Sequence, residues 1–292
     1  MTHVQITTGK FTASINPLGA ELWSLIDAKG RELMTDADPA YWTGRAPLLF
    51  PIVGRLNRDS YLLEGREYAL AKHGFARRMT FGVVEQDNMS VRFRLDADEE
   101  TRRVYPFDFR LEATFVVEDT TLFMTVTVIN QGRIDMPFSF GFHPAFAWPL
   151  PYGGGKHQHM ILFEQDEPAP IRRLKGETGL LAPEHFPSPI TNNALVPTHE
   201  MFEADALIWD QLESRRLKWG VPGRPSLDIG FPDTPWLGIW QKPRANYLCI
   251  EPWAGMADPV DFDGDIWMKP GINRLAPGAQ REFHMNVRLA EN

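Results

Sequence analysis

The 292-residue sequence holds a single cysteine, Cys249, so no disulfide can close within the chain. That composition fits a reducing compartment. No apolar run is long enough to cross a bilayer. The N-terminus lacks a basic segment followed by an apolar stretch, so no signal peptide is expected and a cytoplasmic protein is. Basic residues are outnumbered, 30 Lys and Arg against 38 Asp and Glu, for a formal charge of −8. Nucleic acid and anionic membrane surfaces are therefore poor partners. Walker loops, GxGxxG and GxSxG are missing, which removes support for nucleotide hydrolysis, hydride transfer and serine-hydrolase chemistry. His157 and His159 sit two apart in a glycine-rich loop, a weak metal signal, and neither a metal nor a cofactor is expected.

Capped stretches of helical period are equally scarce, with at most one turn over Asp36–Trp42. The 24 prolines and 23 glycines interrupt the chain too often for long helices. Alternation of period two takes their place. Val91, Phe93 and Leu95 share one side, as do Leu111, Ala113 and Phe115, and Leu122, Met124, Val126 and Val128. Gln86–Asn88 and Glu118–Thr120 read as hairpin loops between such runs. The pattern predicts an all-β fold of many antiparallel strands with very little helix, organised as one domain over residues 1–292. Residues 149–155 and 168–198 read as loop, the second as a long surface excursion. Tryptophans at strand ends and loops (Trp42, Trp148, Trp236, Trp240, Trp253, Trp267) suit sugar stacking as well as core packing.

Three polar residues stand where strands or turns end. Along Phe138–His143 the phenylalanines share one face, and Ser139, Gly141 and His143 the other. Two tiny residues beside an imidazole predict an open groove above the sheet. Tyr247, Cys249 and Glu251 share a face opposite Leu248 and Ile250. Glu251, followed by Pro252, is then a partly buried carboxylate that needs a partner or a raised pKa. Cys249 reads as a small buried residue. His73 projects from a turn permitted by Gly74, with Arg77 close behind. Asp205 opens an apolar run, with Asp210 a competitor. Arg55 follows Gly54 and could meet a sugar hydroxyl, a phosphate or Glu251. An acid, a base and polar clamps suit proton movement on an uncharged ring.

Five segments together resemble the aldose 1-epimerase (galactose mutarotase) family. They are Asn16–Leu22, Pro47–Arg55, His73-Gly74-Phe75-Ala76-Arg77, Phe142-His143-Pro144 and Glu251-Pro252-Trp253. The branch carrying His-Gly-Phe-Ala-Arg is the nearest likeness. The resemblance implies a large antiparallel β-sandwich, the galactose mutarotase-like supersandwich, and cofactor-independent interconversion of the α and β anomers of an aldose. It also implies His143 as general acid and Glu251 as general base, with His73, Arg55, Asp205, Arg77 and Trp253 around the sugar. Asn57-Arg58 departs in spacing from the Asn-Arg pair of the best-known galactose mutarotases, which leaves the sugar open. Hexose-6-phosphate mutarotases share the fold, and Arg45, Arg55, Arg58, Arg77 and Arg78 are candidate phosphate ligands. The competing readings are a non-catalytic carbohydrate-binding or sensing protein and, lower, a lyase or glycosidase. A glycosidase needs two facing carboxylates, and one good candidate is present. The expected partner is a small sugar, bound by a monomer or homodimer.

Overall fold

In the computed structural model, which describes residues 2–291, the regular structure is mostly antiparallel β-strand. Nine strands form one sheet in the order 194–195, 160–163, 216–220, 226–230, 280–290, 121–130, 109–118, 90–96 and 82–86. A second sheet runs 181–186, 171–174, 207–209, 236–240, 247–254, 140–142 and 48–49, and strand 145–147 also pairs with 247–254. A three-stranded sheet over 4–7, 11–16 and 21–27, a hairpin of 60–63 with 66–69 and a pair of 136–138 with 273–275 complete the set.

The alternation seen in the sequence builds the core. Strands Phe109–Glu118 and Thr121–Asn130 bury every second residue, and the two-residue loop Asp119-Thr120 joins them in register Thr121↔Glu118. Val91, Phe93 and Leu95 are buried beside them. These side chains belong to the same apolar cluster as Phe140, Phe142, Leu237, Leu248 and Ile250 of the second sheet, and as Phe138. Each such side chain contributes roughly 1.5–3 kcal/mol on burial. The single α-helix among the described residues, Glu99–Val104, was not expected. Its start is fixed by a capping box in which Asp98 accepts from the Thr101 amide and Thr101 Oγ1 accepts from the Asp98 amide. Asp36–Trp42 forms a turn without continuing into helix.

One expectation is corrected outright. The stretch 168–198 contains strands Ile171–Leu174 and Leu181–Phe186, which pair with each other and extend the second sheet. Its prolines misled because Pro183 lies within a strand at the sheet's edge, where a missing amide donor costs no ladder bond.

Candidate active site

Strand Tyr247–Ala254 lies inside the second sheet and is buried along its whole length. Two short strands share its flank. Phe140 and Gly141 pair with Ala254 and Trp253, and Ala145–Ala147 pair with Cys249–Tyr247. The same register runs through both segments and places His143, in the interruption between them, opposite Glu251. The two side chains meet, with His143 Nε2 3.2 Å from Glu251 Oε2. Both are buried, and both line a cavity of about 310 Å³.

His73 approaches from the other side. It and Gly74 both take left-handed backbone angles, φ 66° and 70°. A Cβ on Gly74 would collide with the Phe50 carbonyl, so glycine is required at that position. The His73 amide donates to Gly54 O at 2.8 Å, and Gly54 N donates back to His73 Nδ1 at 3.1 Å. A neutral imidazole accepting at Nδ1 carries its proton at Nε2. The His73 and His143 rings stand edge to face with centroids 5.7 Å apart.

Asp205 lines the cavity, again with a left-handed backbone, φ 66°. Its Oδ1 accepts from the Ala206 amide, and Arg173 Nη1 braces the turn by donating to the carbonyls of Met201 and Asp205. Asp210 is not on the cavity and is held by Arg172 at 3.1 Å. Arg77 and Lys72 bring positive charge, and among the described residues no carboxylate pairs with Arg77. Trp42, Trp240 and Trp253 supply aromatic wall, with the Trp42 and His143 ring centroids 5.0 Å apart. Of the other tryptophans singled out, Trp148 is in the core and Trp267 packs under Arg274.

Two expectations change here. Arg55 does not reach the cavity or Glu251. Its guanidinium makes a two-pronged bond to Asp59, at 2.7 and 2.6 Å, and donates to Thr178 O. A carboxylate four residues away on the same turn captured it before any ligand could. The space above Ser139 and Gly141 is also not open. Trp253 lies against Gly141 on one side and Gly238 on the other, so that a Cβ on Gly141 would stand 2.6 Å from the indole Cδ1. Ser139 is covered by Gly255. The small residues make a slot for an indole, and the indole, not the sheet, floors the cavity.

The electrostatics follow from burial. Desolvation pushes His143 down to about 3 and His73 well below the ordinary histidine range, and lifts Glu251 well above the ordinary carboxylate range. Arg77 and Lys72 act with desolvation on both histidines, and Lys72 acts against it on Glu251. Between those two limits the pair holds one proton, resting on Glu251. A pair with one proton and one free acceptor site can give at one atom while taking at another.

A profile of the aldose 1-epimerase family matches residues 2–220. The chain belongs to the aldose 1-epimerase family. Among solved structures, this family member is similar to a galactose mutarotase related enzyme from Lactobacillus acidophilus, 32% identical with TM-score 0.92 over 99% of this chain and 98% of that one. It is also similar to a galactose mutarotase-like protein from Lactobacillus casei, 29% identical with TM-score 0.91 over 99% and 100%. The chromosomal LacX protein of Lactococcus lactis subsp. lactis is 29% identical over 284 residues, 94% of this chain and 95% of that protein. The antiparallel sheets of this epimerase-family chain are thus those of galactose mutarotase-like structures. Cys249 is the residue whose place beside the pair the sequence reading passed over. The signal was present, since residues 249 and 251 share a strand face, but its apolar surroundings argued only for packing.

Proposed function

We propose that the protein is a cofactor-independent aldose 1-epimerase that interconverts the α and β anomers of a hexose or related aldose. The observation that carries this reading is the 3.2 Å contact between His143 and Glu251 inside a cavity walled by tryptophans. Anomer exchange needs a proton taken from the C1 hydroxyl and a proton given to the ring oxygen within one complex. Sugar hydroxyls entering the cavity solvate the charge-separated form of the pair, and the shared proton passes to His143 along the existing contact. Glu251 then takes the C1 hydroxyl proton as His143 protonates the ring oxygen. The C1–O5 bond breaks, the aldehyde turns about C1–C2, and reclosure on the other face reverses both transfers. His73, fixed by Gly54, offers Nε2–H to a sugar oxygen. Asp205 Oδ2 accepts from a ring hydroxyl, and Trp253 supports the ring face.

Exchange NMR on equilibrated glucose and galactose tests the reading. Glu251→Gln and His143→Gln are each expected to lower exchange by roughly 10²–10⁴-fold with the fold retained. Folded Glu251→Gln protein exchanging anomers at the normal rate removes Glu251 as base. No anomer exchange by the unaltered protein on any aldose, with sugar still bound, would favour a carbohydrate-binding or sensing role.

A phosphorylated substrate is a second reading, favoured by Arg77, a cavity guanidinium that no carboxylate among the described residues pairs with, and by Lys72, which also lines the cavity. Burial lowers Arg77, which is the cost an anion would relieve. The larger arginine cluster does not assemble, because Arg45 is spent on the carbonyls of Trp23 and Thr35 and Arg55 on Asp59. Comparing kcat/KM for glucose and glucose 6-phosphate decides between them, and Arg77→Met should reduce only the phosphorylated substrate's advantage.

A further inference from the structure

We propose that His143, Cys249 and Glu251 form a binding site for a zinc-like divalent cation, and that the ion, when bound, occupies the acid–base pair and excludes sugar. One ligand atom from each residue lies within 4.8 Å of the other two. This grouping is a product of the register described above. Cys249 and Glu251 are two apart on one strand and so point the same way, and His143 faces Glu251 from across the ladder. Opposite Cys249 stands Ala145, too small to separate the thiol from the imidazole.

The donor set is one nitrogen, one sulfur and one oxygen, the mixture that zinc accepts in sites with three protein ligands and an open fourth position. Ligand atoms around a tetrahedral zinc stand about 3.3–3.8 Å apart, given bond lengths of ~2.0–2.3 Å. The His143–Glu251 edge already has 3.2 Å. The longest edge of the triangle, 4.8 Å at most, must close by about 1 Å, which small side-chain rotations achieve. The open position faces the cavity, because His143 and Glu251 line it.

Charge and protons balance. The thiol proton and any proton held between His143 and Glu251 leave to solvent as the ion enters. Thiolate and carboxylate then carry two negative charges against the ion's two positive ones, with the imidazole neutral. The occupied site is therefore uncharged, which avoids the desolvation cost of a lone buried ion. With the imidazole lone pair and the carboxylate both on the metal, neither can exchange protons with a sugar. Cys249 has no part in the proposed proton transfers, so the site is separable from the reaction it would block.

Cobalt(II) titration of the full-length, chelator-treated protein tests the proposal by absorption, without reliance on turnover. The expected result is one ion per chain, a near-ultraviolet thiolate-to-cobalt charge-transfer band, and intense visible bands of tetrahedral cobalt that zinc abolishes. Cys249→Ser should remove the charge-transfer band and weaken zinc binding at least tenfold, and Cys249→Ala should do the same if serine perturbs folding. Glu251→Gln should weaken it comparably. Absence of the thiolate band, or zinc binding unaltered in folded Cys249→Ala protein, would place any ion elsewhere, such as the surface histidines, and overturn the proposal. If anomer exchange is observed, micromolar zinc should inhibit the unaltered protein in competition with sugar and spare the Cys249→Ala form.

Discussion

Replacing Glu251 by Gln should change how stability depends on pH, with a sign and slope fixed by the buried pair. In the folded, metal-free protein His143 stays neutral down to about pH 3, while Glu251 keeps its proton well above the ordinary value of 4.5. The folded pair thus holds one proton across that whole span. The unfolded chain holds two below the glutamate reference of 4.5, one between 4.5 and the histidine reference of 6.5, and none above 6.5. Stability rises with pH wherever the unfolded state binds more protons. The pair's contribution therefore falls on the acid side of 4.5, is level from 4.5 to 6.5, and falls again above 6.5 until Glu251 ionises in the folded state.

Taken singly, the raised carboxyl contributes stability fully present below 4.5 and lost as pH climbs through its folded pKa. The depressed imidazole contributes stability present above 6.5 and lost as pH drops towards 3. Glu251→Gln deletes the first and keeps the second. The unfolding free energy of the variant minus that of the unaltered protein should then climb by about 1.4 kcal/mol per pH unit above 4.5. It should level off at the folded pKa of Glu251, which the experiment thereby measures. Urea unfolding in a series of buffers containing chelator supplies the comparison, and pH-independent offsets cancel in the slope. Parallel stability curves for the two proteins would show that Glu251 has the same pKa folded and unfolded, and would refute a desolvated pair.

Three further outcomes follow from single contacts. Gly238→Ala places a Cβ 2.5 Å from the Trp253 indole Cζ2, so the ring must shift by about 1 Å; overpacking of this kind costs about 1–3 kcal/mol, and unaltered urea stability together with an unaltered KM would remove Trp253 as the cavity floor. Lys269 and Asp258 form a buried ion pair at 2.5 Å, beside the cavity residues Met256 and Ala257. Lys269→Met leaves the carboxylate uncompensated and should cost about 3–5 kcal/mol by denaturant unfolding, a loss that Asp258→Leu in the same chain should partly restore. Asp205→Ala should raise KM for sugar by one to two orders of magnitude, about 1.4–2.8 kcal/mol, with stability changed little, and an unchanged KM would leave Asp205 as a brace for its own loop.

How far the sequence carried these conclusions depended on whether a signal was local. Alternation within Val91–Leu95, Leu111–Phe115 and Leu122–Val128 fixes which side of each strand is buried, and the structure buries those residues. The same logic put Cys249 and Glu251 on one face of a strand and His143 at the end of another. It could not say that the two strands share a ladder whose register sets 143 against 251, because pairing between segments a hundred residues apart leaves no local pattern. Arg55 shows the opposite failure. Its competitor Asp59 was only four residues away, and the tight turn at 57–59 brings the two side chains together. Gly141 was read correctly as a demand for space but assigned to the wrong occupant. A glycine on a strand states that something approaches closely, and here the something is Trp253, a residue already counted as a site candidate for its ring. The small residues and the tryptophan were one feature seen twice. Their combination means that the cavity's shape is set by packing behind its floor, at Gly141 and Gly238, as much as by the residues that face the sugar.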